Sequence, residues 1–523
     1  MREIVYIQSG NLANYVGAHF WNTQECYLTD EGENVYDRRV SFRESLADSG
    51  PGEGAICYSP RALIFDHKSN FGTFAKSNIL SSTGNDEPSS TAGAASLWAG
   101  AVDEQQSDQI PMSDYHAKLE RDDVNPDAAS PRVQSGASVR YWADFSRLYF
   151  GAHSFQAVPD SYTSGRSADG DWGASRDTFS QFNEETDVTD TAVRVLFEEC
   201  DNPQGFQMTT DVGRFGAFAH GLVETLRDEY PKLPVLDFAL LSSAVPADVD
   251  VDDTAGTRRA INDALYLREM GEVASGIVPI QNPAAWKGWA SPSVSADLSL
   301  VYHSSAIVSA HVESVTLPMR QCNLNSDLSS LIASLSWRGH TTFALLGGIL
   351  PATGAEDWAK ATYNFSLGGP SGRTKADIYS RVDVLRGFND ASLAKYEDWS
   401  SRSTSAQSVV NRYQAAGYPL PSSFPPIFDA RLLENPAVDD IHSVSATSCL
   451  SSLTTSSAMA GLFSSYATFL ERLRRRPAAA SSIEFLETDD WRELTNDFWT
   501  MHDNYDNGAS DGDNDELGED EGF

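Results

Sequence analysis

Between Val193 and Ser243 the chain follows the grammar of a parallel α/β sheet. A short apolar segment, Val193–Phe197, leads into CDNPQGFQMTTDVGRFGAFAHGLVETLRDEYPK, residues 200–232, which has the outline of a phosphate-cradling loop feeding a helix. Phe218 to Tyr230 places Leu222, Val223 and Leu226 on one face and stops at Pro231, as a helix should. VLDFALLSS, residues 235–243, reads as the following strand. Strand, loop, helix and strand in that order predict parallel pairing, because only a crossover helix brings the chain back to start a parallel neighbour.

The same grammar opens the chain. MREIVYIQSG predicts a β-branched strand over Ile4–Ile7 and a turn at Gly10; Leu12, Tyr15, Val16 and Phe20 then recur at helical spacing. RALIFD, Arg61–Asp66, is a near-continuous apolar run of the kind found in a strand covered on both faces. Further helices are expected through Ala260, Leu265 and Leu267 and over Asp327–Leu335, and TTFALLGG, Thr341–Gly348, predicts a strand that opens another domain. YPLPSSFPPIF, Tyr418–Phe428, is a proline-rich connector. Ala458, Leu462, Tyr466, Phe469 and Leu473 predict a helix over Thr455–Arg476, which Pro477 stops. Residues 81–96, ahead of Trp98, and Gly165–Asp171 are small, polar and aperiodic, so both read as loops, the first of them mobile.

Composition narrows the partners. At 523 residues the chain can bury a large core in two to four domains. With 41% hydrophobic and 21% charged residues it reads as a folded protein, and no apolar run is long enough to cross a bilayer. The 38 Lys+Arg against 74 Asp+Glu leave a net charge of -36, which repels phosphate backbones and argues against nucleic acid as a direct partner. Basic protein surfaces suit it better. From Asp503 onward nine residues are acidic and none is basic, which predicts a disordered acidic tail. Cys26, Cys57, Cys200, Cys322 and Cys449 are odd in number and never spaced C-x-x-C, so neither a disulfide framework nor a zinc site is expected, and a reducing compartment is. The ten histidines carry no metal-ligand spacing. Neither an Arg/Ser-rich presequence nor a signal peptide's apolar stretch opens the chain, so a cytosolic location is expected.

MREIVYIQSGNLANYVGAHFW, PRALIFD, CDNPQGFQMTT, LNSDLSSL and TTSSAMAGLFSSYATFLERLRRR, in that order and followed by an acidic tail, resemble the corresponding segments of tubulins nearly end to end. GNLANYVGAHFWN, EECDNPQGFQ and Trp98 resemble more closely the misato-like family, tubulin relatives linked to mitochondrial distribution and inheritance. The resemblance implies an α/β fold: a parallel-sheet nucleotide-type domain, an α/β intermediate domain and C-terminal helices. The implied segments are 1–120, with the 81–96 loop inside it, and 136–320 for the nucleotide-type part. An intermediate domain at 321–430, a helical region at 431–502 and the tail at 503–523 follow.

Tubulins hold GTP between loops rich in glycine, because a Cβ blocks the approach of an anion to backbone N–H groups. Where the tubulin signature reads GGGTGSG, this chain has GRFGAFA, Gly213–Ala219, with only Gly213 in place; Phe215 and Phe218 add bulk, and Arg214 offers an anion contact. The first loop is GNLANYVG, keeping Gly10, Asn14 and Gly17 but carrying Asn11, Leu12, Ala13 and Tyr15. In the second, Asp66 persists while Lys68 takes the acidic position near the metal; in the third, Gly170 and Asp171 precede Trp172 where tubulins have paired asparagines. Asn262 aligns with a base-contacting asparagine, and Asn325 and Asp327 survive from the N-x-D-x-x-E motif, with Ser330 in place of the glutamate. A serine hydroxyl does not orient or activate water as a carboxylate does.

What remains of a nucleotide site is therefore Gly10, Asn11, Asn14, Asp66, Gly213, Arg214 and Gly216, with no catalytic residue and no metal ligand assigned. The expectation is a non-catalytic tubulin-like protein without a cofactor. It would act in partitioning and inheritance of mitochondria and mitochondrial DNA through protein contacts, cytoskeletal or at the cytosolic face of the mitochondrion. Two alternatives stand beside it: a GTP-binding member that assembles with cytoskeletal subunits, and a folding or assembly factor for them. The acidic tail is the candidate contact with basic surfaces, and Arg474–Arg476 either complete a helix C-terminus or meet an anionic membrane.

Overall fold

A computed structural model of the chain describes residues 2–28, 35–46, 56–72, 110–124, 138–163, 171–289, 294–337, 339, 341–352, 358–371, 376–429, 445–476, 486 and 488–506. The expected loop at 81–96, Trp98, most of the 165–171 loop, Pro477 and residues 507–523 of the expected tail lie outside the described residues, while the tail's expected first residues, Asp503–Tyr505, are instead the end of a helix, Thr488–Tyr505.

Six strands build the first sheet: β1 (Glu3–Ser9), β2 (Ala62–His67), β3 (Phe155–Val158), β4 (Pro203–Asp211), β5 (Val235–Leu240) and β6 (Gly276–Ile280). They pair in the order β3-β2-β1-β4-β5-β6, and every pairing is parallel. The connections carry α1 (Asn11–Glu25), α2 (Trp172–Thr186), α3 (Val212–Glu229) and α4 (Thr254–Val273). Both faces are covered, which is why the strands read as continuous apolar runs. Along β1, Val5 and Ile7 enter one core with α3 and α4, whereas Ile4 and Tyr6 enter the other with α1.

The second core also receives α5 (Val301–Thr316), whose sixteen residues all lie buried except Val301. A short α6 (Leu328–Leu335) then leads to a mixed sheet of β7 (Leu345–Ile349), β8 (Tyr363–Asn364), β9 (Gly369–Pro370), β10 (Ile378–Arg386), β11 (Val409–Ala415) and β12 (Cys449–Ser456), in the order β9-β8-β7-β12-β10-β11. One face of this sheet packs on α5 and the other on α7 (Asp390–Ser403). The last helices, α8 (Ala458–Arg474) and α9 (Thr488–Tyr505), pair with each other and close the first core. The chain entering β7 stitches the sheets together: Ile277 donates to Thr342 O and accepts from Ala344 N, both at 2.9 Å. The α/β, tubulin-like class expected from the sequence is the one observed.

Boundaries differ from expectation in instructive places. The stretch read as a loop ahead of the helix is largely β4, at the centre of the sheet, and α3 starts at Val212 rather than Phe218. Val193–Phe197 lies in helical turns and not in a strand. The helix expected from Thr455 begins at Ala458, because Thr455 and Ser456 still belong to β12.

Candidate functional site

In a doubly wound sheet with strand order 3-2-1-4-5-6, ligands sit in the crevice beyond the carboxyl ends of the two strands where the order reverses. Here those are β1 and β4, and each runs directly into a helix: β1 through Gly10 into α1, β4 through Asp211 into α3. Two helix N-termini thus meet at one point, each presenting unpaired N–H groups and the positive end of its dipole.

The β1 side is a polar knot. Gly10 has φ +97°, a conformation that disfavours any side chain, and donates to Phe65 O at 2.9 Å. Asn14 Nδ2 donates to Phe65 O at 3.1 Å and to Asp66 Oδ2 at 2.9 Å, tying α1 to the end of β2. Asp66 is fully buried and also accepts from the His67 N–H at 2.9 Å and from Asn70 Nδ2 at 2.7 Å. Burial pushes its pKa up to about 6 against the pull of those donors. Gly10, Asn14 and Asp66 are brought together, and Asn11 opens α1 beside them.

The β4 side is filled. A Cβ added at Gly10 would lie 2.7 Å from Asp211 Cβ and 2.9 Å from Phe215 Cδ2, so the space a glycine turn leaves is taken by these two side chains. Phe215 is 2% exposed and packs on His67, ring centroids 5.1 Å apart, and on Phe218 at 5.4 Å. Phe218 turns away into the core against Phe65, Phe179 and Phe182, so only Phe215 of the two reaches the glycine turn. The Leu12 N–H, in the first turn of α1, donates to Asp211 Oδ2 at 3.2 Å. Burial raises the Asp211 pKa, while the Leu12 N–H, the Arg214 guanidinium and the Gly213 N–H draw it back. The acceptor at the paired helix starts is therefore the chain's own Asp211 side chain. Arg214 is exposed next to it; Gly213 and Gly216 pack on Ser242 and Tyr266.

Two more buried carboxylates stand behind this point. Asp237 accepts from Thr210 Oγ1 at 2.9 Å and Tyr266 Oη at 2.7 Å, and burial pushes its pKa up to about 6. Asp263, on α4, accepts from the Ser242 N–H at 3.1 Å and the Ser242 hydroxyl at 2.7 Å, and burial pushes it up to about 7. Asn262 beside it is buried. Sequence reading passed over Asp211, Asp237 and Asp263. An acid two residues ahead of Gly213, at the N-cap of a helix, was the available signal for the first.

The remaining expected positions do structural work. Asp171 caps α2 by accepting from the Ala174 N–H at 3.3 Å, while Gly170 lies outside the described residues. Asp327 caps α6 in a reciprocal box with Ser330 and pairs with Arg2 at 3.2 Å; Asn325 lies in the coil before it. Arg476 pairs with Asp252 at 2.9 Å and Arg475 with Glu471 at 3.9 Å. No helix among the described residues is long and apolar enough to cross a membrane, and among them no group of three or more His, Cys, Asp or Glu could hold a metal ion.

Two family models match the sequence. Residues 2–121 match one described as the Misato Segment II tubulin-like domain, and residues 130–321 match a tubulin domain. Protein dml1 of Aspergillus niger is 31% identical over 401 residues, covering 75% of this chain and 77% of that protein. Protein DML1 of Gibberella zeae is 27% identical over 456 residues, 82% of this chain and 86% of its own length. Protein dml1 of Schizosaccharomyces pombe is 27% identical over 349 residues, 64% and 70%.

Proposed function

This chain belongs to the Misato/DML1 family of tubulin-like proteins, and from that premise we propose that it is a non-catalytic scaffold. In this reading it neither hydrolyses nor carries GTP, and it serves the partitioning and inheritance of mitochondria and their DNA through protein contacts. It attaches from the cytosolic side. The observation that carries the reading is the occupation of the Gly10 turn by Asp211 and Phe215. A carboxylate at that point repels a triphosphate, and a buried phenyl ring removes the volume one needs. Support for the loss of hydrolysis comes from Asp327 and Ser330, which satisfy each other at the start of α6 where tubulins place an activating acid.

Titration with a fluorescent GTP analogue in magnesium tests the reading. No saturable binding is expected at micromolar nucleotide, and small molecules released on denaturation contain no guanine nucleotide. Recovery of one GTP per chain would overturn it. A second reading, a GTP-binding member that assembles with cytoskeletal subunits, draws on the intact knot of Gly10, Asn14 and Asp66. Magnesium-dependent binding together with co-sedimentation with tubulin polymer is its signature.

A further inference from the structure

A cavity of about 870 Å³ lies well away from the strand-order switch point, between the second sheet and α7. That size takes a drug-sized ligand or a short length of peptide. Ser452, Thr454 and Ser456 of β12 line it on one side, and Lys395, Trp399 and Arg402 of α7 on another. Its charge is inverted relative to the rest of the molecule. Among the described residues that line it, Lys287, Arg381, Lys395 and Arg402 stand against one carboxylate, Asp398, whereas the chain as a whole carries 74 acidic and 38 basic residues.

The lining is also rich in donors. Trp358, 6% exposed, keeps its indole N–H buried with no acceptor among the described residues. A buried donor in that state is what a carboxylate or a carbonyl of a ligand satisfies. Lys287 and Arg402 do have partners, Asp248 and Asp398, but these are exposed rim pairs of the kind that a multivalent anion displaces with little loss. Arg381 is fixed more firmly, by Asp383 at 2.8 Å and by stacking over Trp399 at 4.6 Å, and contributes a positive edge rather than a movable arm. The apolar part of the lining, Trp358 and Trp399 above all, suits a segment that mixes acids with a few apolar residues.

We infer that this cavity is the docking site of the chain's own acidic C-terminal segment. Beyond Asp506 the chain runs seventeen residues to Phe523, seven of them Asp or Glu and none Lys or Arg, with Leu517 and Phe523 as apolar members. The segment is rooted at the border of the second sheet. The Tyr505 carbonyl accepts from Tyr379 Oη at 2.7 Å, and the next residue toward the N-terminus, Ile378, is a lining residue. Tyr505 packs on Phe463 of α8, centroids 5.6 Å apart, and α8 begins at Ala458, which lines the cavity too. Seventeen residues reach roughly 55 Å when extended, ample for a site on that sheet. Docked in cis, the segment is hidden from basic partner surfaces; released, it exposes both its own acids and a cationic cavity. The inference does not depend on the state of the nucleotide-type seat.

The test compares amide hydrogen exchange over 390–403 and 449–456 in the full-length protein and in a full-length variant carrying D515N, E516Q, E519Q, D520N and E521Q. Faster exchange, severalfold over both segments, is expected in the variant and in the native protein at 1 M salt. A synthetic peptide of residues 507–523, added to the variant at micromolar concentration, restores protection. The same peptide fails on a variant that also carries K395E and R402E, two exposed positions whose reversal leaves the fold intact by circular dichroism. Equal exchange in the native and neutralised proteins, with no protection by the peptide, overturns the proposal. Protection by inorganic phosphate but not by the peptide also overturns it, since the site then selects a small anion.

Discussion

Buried acids are handled in opposite ways in the two halves of the molecule. Around the second sheet the buried acids among the described residues, Glu313 and Asp383, are each matched by a guanidinium. Glu313, fully buried on α5, meets Arg386 Nη1 at 2.5 Å and Arg320 Nη2 at 3.3 Å, with Gln24 and Tyr27 of the N-terminal region donating to the same carboxylate. Asp383 has Arg381 at 2.8 Å, and Tyr396 and Ser452 donate to it. In the first sheet and α4, Asp66, Asp237 and Asp263 are buried with hydroxyl, amide and backbone donors and, among the described residues, no ion pair. Neutral donors only partly offset the loss of water around a charge, so these acids titrate near neutrality. A charged cross-link from Glu313 to Arg386 ties α5 to the second sheet, whereas the three acids pushed up toward neutrality belong to the first sheet and its helix α4.

The contrast breaks hardest at Glu313. Replacing it with Ala strands Arg386 and Arg320 in the interior, and a loss of about 3–5 kcal/mol is expected by denaturant unfolding. A loss under 1 kcal/mol would mean that the two arginines find water and that the pairing is incidental. Next in size is Phe215→Ala, which leaves a cavity at the Gly10 turn and is expected to lose about 3 kcal/mol. If removing the ring also admits nucleotide, its role in closing the seat is sharpened; if GTP still fails to bind, the Asp211 carboxylate is the stronger barrier.

Asp263→Asn probes the unpaired acids. A carboxyl whose folded pKa is about 7 and whose unfolded value is about 4 binds more protons when folded. Its contribution is therefore fully favourable below about pH 4 and is lost as pH rises to 7. Asn carries no charge at any pH, so the variant should match the native protein at pH 4 and melt higher at pH 8, by on the order of 3 kcal/mol. Melting curves with a constant offset across that range would refute the assignment. Smallest is Asp327→Ala, the loss of a partly exposed helix cap, at about 1 kcal/mol and with no change in any nucleotide titration.

Much of this fold was legible because its strands are apolar on both faces and its helices mostly are not. Ile4–Ile7, Arg61–Asp66 and Val235–Ser243 read as strands from that contrast alone, and the last of them stops at Leu240 in the structure. α5 escaped notice for the complementary reason. VYHSSAIVSAHVESVT is buried on every side, and its serines and alanines leave no polar face to set a period. β4 was mistaken for a loop because Pro203, Gly205 and Asp211 flank its apolar centre, although Gly205 is needed where Pro234 O lies 2.3 Å from any added Cβ. At the site, glycine loss was visible in GRFGAFA, whereas what replaced the lost space was not. Asp211 acts on Leu12 across 199 residues, and no local pattern encodes that contact.

The seam between Ile277 and the strand entering β7 has a consequence for how copies of this molecule meet. Without it, β6 would end the parallel sheet with a row of unsatisfied amides and carbonyls, an open template for another chain. The bridge through Thr342 and Ala344 caps that template from within. Uncontrolled edge-to-edge aggregation is thereby discouraged at that border.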